Sequence, residues 1–450
     1  MTFLFLFPFT ANVFAVNQDR TADQWIEEGN KYQSQKNYDK AIADYSNALE
    51  LAPQSYWGHT YRGITYNLKK EYDLAFNDFT EAIKLDVKDA TAYLNRGIVY
   101  GIKGKYELAL QDLDKAVVYD PQNGFIYSVR GAAYDSAGQY DEAIEDYSKA
   151  IELNPQKVQN YTSRAHAYLQ NKEYFSALLD LDKAIRLNPL YQEAYLDRGA
   201  VYAAQGKNEL AVAEYTKAVE IDPQDTAAYK DRAAAYSAIG RLDLAIADYN
   251  AIIKRRPNSS EGYYLRSSVY DKKGRHELAL ADYKKAVDLS GSNEGYLLLL
   301  ASQKYEKGQY DYGIILCDKL IAINPQNGEY YCERGYGEYQ SKKYTQAVAD
   351  FSRAIELNPE DPRYYDGRGN VYGATGKYEA AVAEFRHCLE LDSNYDEAYF
   401  NLAQALELSG NREEAANYYQ MAVAHKISDE AKPKAEARVK GDWNSYKEWI

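Results

Sequence analysis

From Ala22 to Asp429, small, aromatic and polar positions recur every 34 residues through twelve units without a gap. The units begin at Ala22, Tyr56, Ala90, Gly124, Val158, Gln192, Thr226, Ser260, Glu294, Gly328, Pro362 and Asp396. Counting positions 1–34 in each, position 8 is always small (Gly29, Gly131, Ala165, Ser267), position 20 is Ala except at Gly313, and position 27 is mostly Ala. Aromatic residues fall at positions 4, 11 and 24, as in Tyr127, Tyr134 and Tyr147. Gly recurs at position 15, where a helix ending in the left-handed conformation favours a residue without Cβ. Pro recurs at position 32, and the residue before a Pro is pushed out of the helical region. The pattern predicts two antiparallel helices per unit, at positions 1–14 and 18–31, approaching closely at their small residues.

Trp25, Gly29, Tyr32, Ala41, Tyr45, Ala48 and Pro53 keep the native spacing of a known signature, W-x3-G-x2-Y…A-x3-[FY]-x2-A…P. In this the sequence resembles the tetratricopeptide repeat (TPR) family. The resemblance implies an all-α fold, a TPR α-solenoid in which antiparallel helix pairs form a right-handed superhelix. It implies repeats 1–8 over 22–293, a divergent repeat 9 over 294–327, repeats 10–12 over 328–429, and a C-terminal capping helix within 430–450. It further implies that positions 2, 5, 6, 9, 12 and 13 of each first helix face a concave partner-binding surface.

Residues 1–15 are uncharged and mostly apolar, too few to span a bilayer. They end in Val13-Phe14-Ala15, which suits cleavage after Ala15, so they read as a signal peptide followed by a linker over 16–21. A basic n-region is missing, and the alternative is a cytoplasmic chain with an apolar tail. At the other end Val439, Trp443, Tyr446, Trp449 and Ile450 supply the apolar side chains of a cap.

Position 7 is Arg in nine units, and position 23 is acidic in the same nine. Arg96 with Asp112, Arg130 with Asp146, and Arg198 with Glu214 are examples. The ninth unit has Leu300 and Leu316 instead. This co-occurrence predicts an Arg–carboxylate bridge between the two helices of each hairpin. The alternative is an arginine row gripping an acidic ligand. The 47 Tyr against 12 Phe fall mainly on framework positions, where they are expected to pack with their hydroxyls at the surface.

A net charge of −14 argues against a nucleic-acid partner, since neutralising phosphates needs a surplus of Lys and Arg. At the concave positions fourteen acids, among them Asp197, Asp231, Glu261 and Glu333, face Lys230, Lys272 and Arg363. Such a groove favours basic peptides. The bland alternative is a set of solvated helix faces. Trp57 and Tyr61 are expected to form an aromatic patch near the N-terminal mouth. The irregular ninth unit is expected to bend the stack and offer an apolar patch of Leu298 and Leu299 beside Tyr264, Tyr336 and Tyr339. The family's carboxylate clamp is not matched; the nearest approach is Asn370 with Asn401, where Asp366 replaces the required Lys. The five His are scattered, and no C-x-x-C, H-E-x-x-H or P-loop spacing occurs, so no metal, cofactor or catalytic residue is expected. The sequence therefore reads as an exported, non-catalytic scaffold for a protein or peptide partner. The alternatives are an intracellular co-chaperone or assembly scaffold and an accessory subunit of an enzyme.

Overall fold

The computed structural model describes residues 20–425 and 427–443. The signal-peptide segment, most of the linker, and Tyr446, Trp449 and Ile450 lie outside the described residues. The chain divides into two compact units, Met1–Ile239 and Gly240–Ile450. The first contains α1 (Ala22–Ser34), α2 (Tyr38–Leu51), α3 (Tyr56–Leu68), α4 (Tyr72–Leu85), α5 (Ala90–Ile102), α6 (Tyr106–Tyr119) and α7 (Gly124–Ser136). It continues with α8 (Tyr140–Leu153), α9 (Val158–Gln170), α10 (Tyr174–Leu187), α11 (Gln192–Ala204), α12 (Asn208–Ile221) and α13 (Thr226–Ala238). The second contains α14 (Leu242–Arg255), α15 (Ser260–Lys272), α16 (His276–Leu289), α17 (Glu294–Glu306), α18 (Tyr310–Ile323), α19 (Gly328–Gln340) and α20 (Tyr344–Leu357). It ends with α21 (Pro362–Ala374), α22 (Tyr378–Leu391), α23 (Asp396–Leu408), α24 (Arg412–Ala424) and α25 (Ala431–Val439).

The helices follow the 34-residue register. Each first helix covers positions 1–13, and the second starts at position 17, one residue earlier than expected, as in α7 and α8. Successive hairpins stack, and within the first unit the first helices run side by side: α3 against α5, α5 against α7, α7 against α9 and α9 against α11. The ring at position 24 lies on the small residue at position 8. A Cβ at Gly131 would sit 2.9 Å from the Tyr147 ring, and at Gly199 only 2.5 Å from Tyr215. Glycine here is what allows the two helix axes to close on a buried aromatic ring. Position 15 is left-handed whatever occupies it: Gly104 has φ 70°, and Lys36, Lys70, Lys172 and Lys342 have φ 59–64°.

The cap differs from its expected apolar form. Val439 is exposed, while Arg438 and Lys434 of α25 are buried. Arg438 Nε donates to both oxygens of Glu407 at 2.9 Å, its guanidinium lies 5.5 Å from the Trp443 ring, and Tyr419 donates to Glu407 at 2.7 Å. The last hairpin is thus closed by a buried ion pair under an aromatic ring.

A candidate partner-binding face on the first helices

The face is held by the residues at positions 4, 7, 11, 23, 25 and 32. Arg96, Arg130, Arg62 and Arg164 each bind their own hairpin's Asp side-on, Nε and Nη2 donating to the two carboxylate oxygens at 2.7–2.8 Å. Arg266 with Asp282 and Arg334 with Asp350 repeat this at 2.6–2.7 Å. Hydrogen bonds to Asp146 hold the Arg130 guanidinium above its ordinary pKa. The longer carboxylate of Glu214 is reached by Arg198 Nη2 alone at 2.8 Å, leaving the buried Arg198 Nε without a partner; Arg368 with Glu384 does the same.

Each Arg also reaches the preceding hairpin. Nη1 donates to the side chain at position 25: Arg62 to Ser46 at 3.1 Å, Arg130 to Asp114 at 2.8 Å, Arg198 to Asp182 at 2.6 Å and Arg334 to Asp318 at 2.6 Å. The guanidinium lies between the aromatic rings at positions 4 and 11, 5.7 and 5.9 Å away for Arg130 with Tyr127 and Tyr134, a favourable cation–π geometry. Four of the position-4 hydroxyls also make a bond to the backbone. Those of Tyr127, Tyr161, Tyr195 and Tyr331 donate to the carbonyl of the Pro that closes the previous hairpin, at 3.1–3.3 Å. These four tyrosines therefore link successive repeats.

On this frame, α3 presents Trp57, 43% exposed, stacked on Tyr61 at 5.6 Å, with Tyr45 stacked beneath at 6.1 Å. Further along, α5, α7 and α9 wall a groove of about 640 Å³ lined by Ile98, Ile102, Phe125, Val129 and Ala132. These five residues are uncharged, so a count of charges along the first helices does not reveal the groove; Lys157 also lines it. The face is polar at Asp135 of α7, His166 of α9 and Asp197 of α11. His166 Nδ1 faces Asp135 Oδ2 at 3.0 Å, which raises the His166 pKa. Asp197 on α11 is partly buried; burial and then the Glu193 charge push its carboxyl up to about 7, opposed by His166. Asp231 stands partly buried on α13.

In the second unit the ninth hairpin is built differently, and the residues expected to form one apolar patch are separated. Leu298 packs into the core and only Leu299 is exposed. Tyr264 and Glu261 line a cleft of about 390 Å³ between α16 and α17, with Tyr283, Val287, Leu297 and Lys304. Glu333, Tyr336 and Tyr339 line a different cavity of about 840 Å³, with Arg363, Asp366 and Glu397. Burial, then Glu329, raises the Glu333 pKa; burial pushes Asp366 up to about 6, though Asn401 opposes it. Cys317 and Cys332 are free thiols. Among the described residues no group of three or more His, Cys, Asp or Glu could hold a metal ion, and no helix is long and apolar enough to cross a membrane.

Three tetratricopeptide repeat models match residues 22–55, 90–123 and 125–157, residues 230–294, and residues 398–431, and a TPR repeat model matches 199–240, 335–376 and 369–410. The chain belongs to the tetratricopeptide repeat family. A TPR protein from Parabacteroides merdae ATCC 43184 is similar in structure, with a TM-score of 0.46 and 21% identity over 55% of this chain and 98% of that one. YrrB, a TPR protein with an unusual peptide-binding site, gives 0.36 and 23% over 41% and 95%. MamA gives 0.33 and 27% over 36% and 94%. No curated protein matches the chain.

In this TPR protein the two amides nearest to a clamp are occupied internally. Asn370 and Asn401 both donate to Asp366 at 2.9 Å, one to each oxygen. A ligand carboxylate at that place would meet the Asp366 charge, so the departure from the clamp pattern has a direct electrostatic consequence.

Proposed function

We propose that this TPR protein is an exported, non-catalytic scaffold that holds an extended segment of a partner protein along its first helices, with Lys or Arg side chains of that segment on the groove carboxylates. The observation that carries this reading is the charge balance at α11. Asp197 and Glu193 lie one helical turn apart, and the His166 ring, which opposes the rise at Asp197, is already bonded to Asp135. An incoming ammonium or guanidinium would stabilise both carboxylates in their ionised form.

The triple variant Asp197→Lys, Asp231→Lys, Glu261→Lys tests the charge requirement by capture of binding partners. The proteins held by the parent chain should be lost, and an unchanged set would overturn the reading. Export rests on the apolar segment ending at Ala15. Mass spectrometry of the mature protein should find a chain beginning at Val16; one that keeps Met1 favours an intracellular scaffold instead.

A further inference from the structure

The face of the first unit changes character between α7 and α11, and the change has the form of a two-part recognition site. The groove walled by α5, α7 and α9 has an apolar floor: Ile102 and Phe125 are each about half exposed, Ile98, Val129 and Ala132 continue the surface, and Lys157 at its rim lies 5.0 Å from the Phe125 ring. Contiguous apolar surface of this kind in a solvated groove marks a contact for another molecule. Asn160 also lines the groove and is 2% exposed. Its Oδ1 faces Ser128 Oγ at 2.9 Å, and its Nδ2 has no hydrogen-bond partner. The single Ser128 hydroxyl hydrogen is also directed at the Gly124 carbonyl, so one carboxamide atom of Asn160 stays unbonded whichever way the group is turned. A buried, unbonded amide is destabilising, and a peptide backbone group is its natural complement. Two first helices beyond α7 the surface is anionic, with Glu193 and Asp197 on α11, and α7 itself carries a buried carboxylate oxygen without a partner, Asp135 Oδ1.

We infer that the occupant is one extended peptide segment of a partner, with aliphatic or aromatic side chains seated on Ile98, Ile102, Phe125 and Val129 and a Lys or Arg on Asp197 and Glu193. This rests on the peptide-binding reading above and adds the apolar half and the spacing. Packed helices lie about 8–10 Å apart, so α7 to α11 spans roughly 18 Å. An extended chain covers about 3.3 Å per residue, which places the basic residue about five or six positions from the apolar ones.

Isothermal titration of the full chain tests this with four synthetic peptides. The first joins three apolar residues to a Lys-Arg pair through a five-residue Gly/Ser spacer. The second and third carry only the apolar or only the basic part, and the fourth shortens the spacer to one residue. The first should bind at least about tenfold tighter than each of the others. The neutral change Ile102→Asn with Phe125→Asn should reduce it to the level of the basic peptide, and Asp197→Asn to that of the apolar one. Asn160→Leu should weaken the first peptide about fivefold and leave the basic peptide unchanged. Circular dichroism melting verifies that the variants fold, as the half-exposed Ile102 and Phe125 allow. If the two-part peptide binds no better than the basic one, this inference fails while peptide binding stands. If no peptide binds, both fail. If the short spacer, or a helix-forming version of the apolar part, binds as well or better, the occupant is not the extended segment inferred here.

Discussion

The fourth and ninth hairpins solve the same packing problem in opposite directions. In α7 and α8 the Tyr147 ring of the second helix covers Gly131 of the first. In α17 and α18 the first helix supplies the ring: Tyr305 covers Gly313 of the second, where a Cβ would lie 2.1 Å from the ring, and its hydroxyl meets Cys317 Sγ at 3.4 Å. The departures at Gly313 and Cys317 are therefore one exchange and not independent drift. The regular links to the neighbouring hairpin give way to different ones: Tyr312 donates to Asp271, Lys319 to the Asp288 carbonyl at 3.2 Å, and the Lys304 ammonium lies 5.1 Å from the Tyr283 ring. Leu297 has no hydroxyl for the previous turn, Leu300 has no guanidinium, and Ser290-Gly291-Ser292 stands where Pro is expected. There α16 packs on α18, with Tyr283 and Tyr312 edge to face at 4.7 Å, and the 390 Å³ cleft opens toward α17. Hairpin closure and hairpin stacking thus rest on different side chains.

The largest expected effect comes from making a regular hairpin resemble the ninth halfway. Arg130→Leu leaves Asp146 buried without its cation and should cost about 3 kcal/mol. Adding Asp146→Leu, the combination found at Leu300 and Leu316, should return stability to within about 1 kcal/mol of the parent. Urea unfolding followed by circular dichroism measures both, and a double variant as weak as the single would break the comparison. Gly313→Ala forces a methyl into the Tyr305 ring and should cost about 2 kcal/mol; Gly131→Ala, with its looser 2.9 Å contact, should cost about half as much. Glu214→Asp gives the unbonded Arg198 Nε a side-on partner and should stabilise by about 1 kcal/mol, seen as a raised melting temperature.

The smallest effect is a pH slope. Asp197 holds its proton more tightly in the fold, near 7, than the ordinary 3.8. Its contribution to stability is therefore greatest below about pH 4 and is lost as the pH rises through 7. Binding of a basic peptide runs the other way, because Asp197 ionises over the same rise. Asp197→Asn should flatten both trends between pH 5 and 8, and a slope that survives the substitution would assign it to other groups.

The hairpins and the Arg–carboxylate bridges were legible because both partners keep their chemical type at fixed positions. The third contact of each Arg was not, since position 25 is Ser46, Thr80, Asp114 or Asn250 and shares only a polar atom. The Tyr127 hydroxyl bond to Pro121 was hidden for another reason: a backbone carbonyl leaves no mark in the residue pattern. The acidic positions could be read singly from the register. The apolar groove emerges only when α5 and α7 are placed side by side, as does the division of the ninth unit's neighbours between two cavities, Tyr264 lining one and Tyr336 the other.

Amide hydrogen exchange of the intact chain, read by mass spectrometry, tests most directly whether the regular Tyr–Pro and Arg links set hairpin stacking. Peptides covering α16 and α17 should exchange at least about tenfold faster than those covering α6 and α7, where Tyr127, Arg130 and Pro121 make the links. Equal protection at the two junctions would contradict the account.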